Sequence, residues 1–169
     1  MKNGDSILCD GVVLLYERLD SMNWNASDMN LFLQQKEYID TLVVPLIKVE
    51  TVEESMKASA SSTDFLMNLV DYIELQFKGR IMVAPPFAYT PSMGLQQFGK
   101  VLSDDFSKSS FKHVFFLTTD SQWTSIATTG TVLWLPSIPI ENMDDRLKQS
   151  ILEDQLKQLL PQLTDEWRK

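Results

Sequence analysis

The amino-acid sequence predicts an α/β fold: a layered, mostly parallel four-stranded sheet with helices on both faces. Short apolar runs recur along the chain at residues 41–47, 81–84, 114–117 and 131–135, and a stretch with helical signals follows each of them. Runs that are apolar nearly throughout are typical of strands covered on both faces of a parallel sheet. Because crossovers between parallel strands are right-handed, we expect a Rossmann-like or flavodoxin-like winding.

Length, composition and charge favour one domain at residues 22–169. The chain has 169 residues, of which 44% are hydrophobic, and this is enough for one sizeable core. It carries 15 basic and 23 acidic residues, for a net charge of -8. Binding to nucleic acid requires a basic surface, so we expect no nucleic-acid partner. The same charge disfavours attraction to an anionic membrane surface.

Cysteine content and apolar stretches predict a cytoplasmic protein. The single cysteine, Cys9, excludes an internal disulfide. The longest apolar stretch is well below the roughly 20 residues that span a bilayer, so we expect no direct membrane insertion. Residues 7–15 resemble the core of a signal peptide, but Asp10 interrupts them and no small-x-small cleavage site follows.

Residues 1–21 are interpreted as an appended N-terminal segment. The first helix signal comes after them, with Asn25 as N-cap and Asp28 three positions later. Glu17 and Arg18 can be encoded by a purine-rich tract at the distance upstream of Met22 that suits a ribosome-binding site. We therefore hypothesise that translation starts at Met22. The alternative is that residues 1–21 form a genuine arm or edge strand.

The helices and strands of the first half of the chain are predicted from the spacing of apolar residues and from the positions of proline and glycine. Helical spacing predicts an amphipathic helix from residue 27 to about residue 39. In the first strand Pro45 lacks a ladder donor, which indicates an edge position, a bulge or the end of the strand. The polar, Ser-rich residues 50–62 are expected to be mobile, with a short helix at 53–60, and a stronger helix follows from Thr63 and stops at Gly79.

In the second half, cap residues predict where the helices begin. Thr90 and Pro91 make a good N-cap and first helical position, and Asn142 is expected to cap a long C-terminal helix. A short helix or turn is expected at residues 120–127. Pro161 removes the hydrogen bond to Lys157 and should kink or end the C-terminal helix. The apolar stripe after it is the expected contact surface.

The parallel sheet predicts where a ligand would bind, because ligands of open α/β folds collect outside the carboxyl ends of the strands. Loops 84–90, 118–123 and 136–142 should lie there. The candidate ligand-binding residues are Thr118, Thr119, Asp120, Ser121, Phe87 and Tyr89. Hydroxyl and backbone N–H groups at the second loop can hold a phosphate or carboxylate. The alternatives are that Asp120 caps a helix, that Phe87 seals the core and that loop 136–142 is a rigid connector.

Known catalytic signatures are absent from the sequence. It contains no G-x-G-x-x-G, G-x-x-x-x-G-K-[ST], G-x-S-x-G or H-E-x-x-H motif. The only histidine, His113, begins the third predicted strand and should point from the edge opposite the expected site. Adjacent carboxylates occur in polar helical stretches, where solvated helix faces account for them. We therefore predict no catalytic residue, no metal site and no cofactor.

Three segments resemble a known family: residues 22–29, 36–47 and 76–80 are similar to the YpiF-like family of small uncharacterised bacillar proteins. The resemblance excludes residues 1–21. It implies a cytoplasmic protein without an assigned activity. Some members are encoded near genes for a menaquinol to cytochrome c oxidoreductase, which implies an accessory partner for a membrane respiratory complex.

Two functions remain open at this point. The leading interpretation is a non-enzymatic protein-interaction or adaptor domain with a protein partner or in a homodimer, because the scaffold carries no convergent catalytic set. The alternative is a small-molecule site for a ligand that bears a phosphate or carboxylate, with Thr118 to Ser121 facing loop 84–90.

Overall fold

The computed structural model describes residues 22–169, which form an α/β sheet layered with helices. The appended segment and the proposed alternative, an arm or edge strand at residues 1–21, lie outside the described residues. The strands are β1 (Thr41–Lys48), β2 (Ile81–Val83), β3 (Phe87–Tyr89), β4 (His113–Thr118) and β5 (Thr131–Trp134). The helices are α1 (Ala26–Gln34), α2 (Glu53–Gln76), α3 (Leu95–Phe106) and α4 (Asp145–Trp167), with a 3-10 helix at Ser121–Ser125.

The sheet is parallel in every described pairing, and its order is β2-β1-β4-β5. The α/β class and the predicted strands are confirmed, but the sheet has five strands instead of four. The additional strand, β3, pairs with the end of β1 on the same side as β2. Counted together, β2 and β3 fill one position in the sheet. The resulting order is that of a flavodoxin-like winding.

Pro45 lies in the central strand β1, so its predicted position at a sheet edge or strand end is wrong. Backbone groups of alternate residues face the same neighbouring strand. Thr41 N donates to Arg80 O, and Val43 O accepts from Ala84 N, so Pro45 faces β2 and β3 as well. At this point the segment that joins β2 to β3, between Val83 and Phe87, does not pair with β1. The ladder therefore has no hydrogen bond at this position that would require an N–H from Pro45.

The sheet separates two apolar cores. One face of the sheet packs against α2 and α4, and the other packs against α1 and α3. The residues that share the first core include Val43, Phe115, Leu117, Phe65, Leu69, Leu159 and Leu163. Those of the second core include Leu42, Val44, Phe116, Phe32, Leu102 and Trp123. Helices on both faces are thus confirmed, and they explain why the strands are apolar nearly throughout.

Helix α2 is one continuous element, so the two predicted helices, at 53–60 and from Thr63, are both present, but the predicted break between them is wrong. Its Ser-rich first half is held by local hydrogen bonds. Ser59 Oγ donates to Lys48 O at 2.9 Å and accepts from Glu50 N at 3.0 Å. Thr63 Oγ1 donates to Ser59 O, one helical turn earlier, at 2.9 Å. The hydroxyls therefore bond within the fold, which the composition alone does not reveal.

Two predicted helix starts are displaced and one is correct. Asn25 caps α1, where its Oδ1 accepts from Asp28 N at 2.9 Å. Thr90 does not cap α3, because Met93 N donates to Thr90 O in a turn and the helix begins only after Gly94. The N-cap of α4 is Asp144 instead of Asn142.

Pro161 does not end α4, which continues to Trp167. The side chains on both sides of it explain why the helix persists: Leu159 and Leu163 are fully buried against the sheet. Their burial outweighs the single hydrogen bond that proline removes. The stripe after Pro161 is therefore packed into the core, and its predicted role as an exposed contact surface is wrong.

The end of α4 closes the amino-terminal edge of the sheet. Trp167 Nε1 donates to Thr41 Oγ1 at 2.8 Å, and the Arg80 guanidinium lies 4.1 Å from the centre of the Trp167 ring. Arg80 also donates twice to Asp40, at 3.0 Å each. A bidentate ion pair and a cation–π contact therefore fasten the last helix to the start of β1.

Two glycines test the packing of the sheet. A Cβ at Gly130 would lie 2.6 Å from Val114 O and 2.9 Å from the Phe116 ring. Because backbone cannot move aside cheaply, we expect Gly130→Ala to lower the free energy of unfolding by about 1–3 kcal/mol. Gly94→Ala is the control, since nothing lies within 4 Å of its Cβ position. Because Gly94 is also the N-cap of α3, where alanine is less favourable than glycine, we expect a loss of no more than about 1 kcal/mol in the same urea titration. Equal losses would contradict this packing.

Candidate functional site

An open polar cavity lies at the carboxyl-terminal edge of the sheet, between the ends of β1 and β4. Its volume is about 260 Å³. Strand β2 lies on one side of β1, whereas β4 and β5 lie on the other side. The winding of the sheet therefore changes direction between β1 and β4. Ligands of open α/β sheets bind in the crevice outside such a switch point. The cavity is therefore the candidate ligand site.

Helix α2 forms one wall of the cavity with small side chains. These residues are Ala58, Ser59, Ser62 and Thr63. Residues three and four positions apart share one face of a helix. Their small size leaves the space open, and their hydroxyls make it polar. The sequence pattern was interpreted as a mobile stretch with a helix that ends at residue 60, so this wall was missed; the spacing of 58 to 62 and of 59 to 63 was the available signal.

The end of β1 provides a cation at the rim. Lys48 Nζ lies 3.0 Å from Glu50 Oε1, and both residues line the cavity. Hydrogen bonds from Ser55 and then from Lys48 lower the pKa of the Glu50 carboxyl. Glu50 is therefore ionised at neutral pH. The pair is solvent-accessible, so an anionic ligand can compete with Glu50 for the ammonium group.

Asp120 is held rigidly at the opposite rim. Its Oδ2 accepts from the Tyr89 hydroxyl at 2.8 Å, and its Oδ1 accepts from Gln122 N at 3.0 Å. The Tyr89 hydroxyl in turn accepts from Trp123 Nε1 at 2.9 Å. Burial, together with the bond to Asp120, raises the pKa of Tyr89, which therefore keeps its proton and remains a donor. A chain of hydrogen bonds thus links the core to the carboxylate at the cavity.

Four of the six predicted ligand residues come together at this edge. Thr119, Asp120 and Ser121 line the cavity. Tyr89 contacts Asp120 from the other side of the sheet and supports it. Asp120 also caps the 3-10 helix, so the cap alternative applies to it as well. Whether these residues bind a ligand stays a prediction.

The other two predicted residues do not line the cavity, although Thr118 lies directly below it. Thr118 is buried, and its Oγ1 accepts from Asp120 N at 3.1 Å, so it shapes the loop from below. Phe87 packs edge-on against Phe106 on the α3 face, with ring centres 5.9 Å apart. Loop 84–90 therefore contributes Tyr89 to the surroundings of the site, and Phe87 belongs to the packing of α3.

The lining of the cavity is chemically mixed. It combines hydroxyls, the Lys48 ammonium and the carboxylates of Glu50 and Asp120 with the apolar side chains of Ile47, Ala58 and Leu66. His113 lies at the opposite edge, in register with Thr41, as predicted, and burial lowers its pKa. Within residues 22–169 there is no group of three or more His, Cys, Asp or Glu residues that could hold a metal ion. In the same range, no helix is long and apolar enough to span a membrane.

Comparison with known proteins gives the family. Residues 30–167 match the family described as "Protein of unknown function (DUF2487)". The chain belongs to the DUF2487 family. It is also similar to the uncharacterized protein YpiF of Bacillus subtilis (strain 168), with 33% identity over 147 residues, which cover 86% of this chain and 98% of that protein. The resemblance to YpiF-like proteins is thereby confirmed. No solved structure gives a significant match.

The Tyr89 network of this DUF2487 protein can be tested directly. We expect Tyr89→Phe to lower the free energy of unfolding by about 1–3 kcal/mol, because it leaves the buried Trp123 N–H without an acceptor. Tyr38→Phe is the matched control, since Tyr38 is 70% exposed, and it should change stability by less than about 0.5 kcal/mol. Guanidinium titration measures both. A Tyr89→Phe protein as stable as its control would show that the network contributes nothing.

Proposed function

We propose that the chain is a binding domain for a small hydroxylated metabolite that carries a carboxylate or a phosphate. The observation that supports this most is the position of the polar cavity at the switch point between β1 and β4. Its volume of about 260 Å³ suits a metabolite smaller than a drug-sized ligand.

The chemistry of the lining supports this ligand class. Lys48 is the cation to which an anionic group binds, in competition with Glu50. Ser62 presents a hydroxyl that donates to the same group, whereas Thr119 and Asp120 at the β4 loop form hydrogen bonds with hydroxyls of the ligand. Asp120 also disfavours an anion close to itself. We therefore expect the anionic end of the ligand at Lys48 and its hydroxyls at the β4 loop.

A thermal-shift panel of sugar phosphates, hydroxy acids and nucleotides tests the proposal. A ligand at ~100 times its dissociation constant stabilises the protein by about 2.7 kcal/mol, roughly a 5 to 10 °C rise in Tm for a domain of this size. We expect Lys48→Gln to abolish the shift and Thr119→Val to reduce it. A panel without any shift, or a shift that survives Lys48→Gln unchanged, counts against the site.

A substitution that fills the cavity tests by steric exclusion whether the ligand binds there. Ser62→Leu places a bulky side chain on the cavity wall and should remove the ligand shift, while the helix is preserved because leucine is a good helix former. Ala60→Leu, on the exposed side of the same helix, is the matched control and should leave the shift unchanged. If both variants bind alike, the ligand occupies another place.

Protein interaction is the second candidate function, and we propose self-association as its form. An apolar cleft of about 330 Å³ lies between α1 and the loop that follows α3. Trp24 and Leu33 line it and are about half exposed. Exposed apolar surface of this kind is typical of contact sites. An accessory role beside a respiratory complex rests on the family resemblance alone.

Sedimentation equilibrium tests this second candidate. We expect a dimer whose dissociation constant rises at least roughly tenfold in Leu33→Asp, because a buried carboxylate at the contact lacks a partner. Leu75→Asp is the control, since Leu75 is equally exposed but lies on α2, away from the cleft. A wild-type protein that stays monomeric at high concentration would rule out self-association.

A further inference from the structure

Met22, the first described residue, is anchored in the fold by its main chain. Its side chain is 1% exposed and belongs to the core between the sheet, α1 and α3. Its carbonyl accepts from Val83 N at 3.2 Å. Its nitrogen donates to Glu74 Oε1 at 2.8 Å, in a buried hydrogen bond between residues 52 positions apart. The main-chain nitrogen of Met22 is therefore aimed at a specific acceptor.

That acceptor is a carboxylate in unfavourable surroundings. Glu74 lies on α2 and is only 4% exposed. Burial raises the pKa of Glu74, and the nearby carboxylates of Asp71 and Asp28 raise it further. The Met22 N–H and the charge of Lys78 act in the opposite direction. Asp28 also accepts from Asn23 N at 2.9 Å, so carboxylates surround the main chain at residues 22 and 23.

A neutral amide compensates the negative charge of these carboxylates poorly. An amide N–H donates one hydrogen bond and carries no net charge, whereas an ammonium group has three donors and a full positive charge. A buried carboxylate is costly unless it is paired with an opposite charge. From the buried contact of Met22 N with Glu74, we infer that the native chain begins at Met22 and that its free α-ammonium group acts, together with the charge of Lys78, as a counter-ion of Glu74.

The comparison with similar proteins supports this start independently. The similar protein YpiF is matched over 98% of its own length by 147 residues of this chain. The family match begins at residue 30. The inference stands apart from the proposed ligand site, because Met22 and Glu74 do not line that cavity.

Intact-mass analysis and N-terminal sequencing of the protein expressed from its own gene and upstream DNA test the start. We expect a product that begins with unmodified Met22, that is unaffected by Met1→Leu and that disappears with Met22→Leu. A mass that includes residues 1–21, or loss of the product with Met1→Leu, overturns the inference.

A double-mutant cycle on the chain that begins at Met22 tests the ion pair. Two extra residues ahead of Met22 turn its ammonium into an amide and displace the charge. We expect this extension to lower the folding equilibrium constant about tenfold, which corresponds to about 1.4 kcal/mol. In Glu74→Gln the same extension should have less than about a twofold effect, whereas the exposed Glu53→Gln should retain the full effect. Equal effects in all three backgrounds overturn the pairing.

Discussion

The burial of the central strand β1 is the constraint on which the rest of the structure depends. Helices cover both of its faces and parallel strands flank both of its sides, so seven of its eight residues are buried. Such a strand must pair its backbone groups within the sheet and must be apolar. Pro45 meets the first requirement only because its missing donor faces the break between β2 and β3. That break consists of the residues between β2 and β3, which include the prolines at 85 and 86. They lie where Pro45 has no N–H to donate.

The same constraint creates the candidate site. Strand β1 has β2 on one side and β4 on the other. The connections that leave β1 and β4 therefore run to opposite faces of the sheet, and a crevice remains at its carboxyl-terminal edge. Small residues of α2 keep the crevice open, and Asp120 is fixed at its rim from the core by Tyr89 and Trp123. Asp120 is thus preorganised by packing from the core as well as by hydrogen bonds within its own loop.

The two edges of the sheet have different roles. At the amino-terminal edge, Trp167, Arg80 and Asp40 close the fold with a cation–π contact and a bidentate ion pair. At the carboxyl-terminal edge, the cavity stays open between α2 and the β4 loop. His113 lies at the closed edge and the hydroxyl-rich lining at the open one, so stability and the candidate binding chemistry are separated along the strands.

The sequence by itself determined the β/α alternation, the Asn25 cap and the polar loop at the end of β4, because apolar runs, cap residues and loops are local signals. Only the tertiary structure decided that the two predicted helices join into one, that residues 58, 59, 62 and 63 line a cavity, that β3 exists, and that Phe87 faces α3 instead of the site. It also decided that Leu163 and Trp167 are buried after Pro161. Each of these outcomes depends on contacts between residues far apart in the chain, whose free energy outweighs local propensity and cannot be read from spacing.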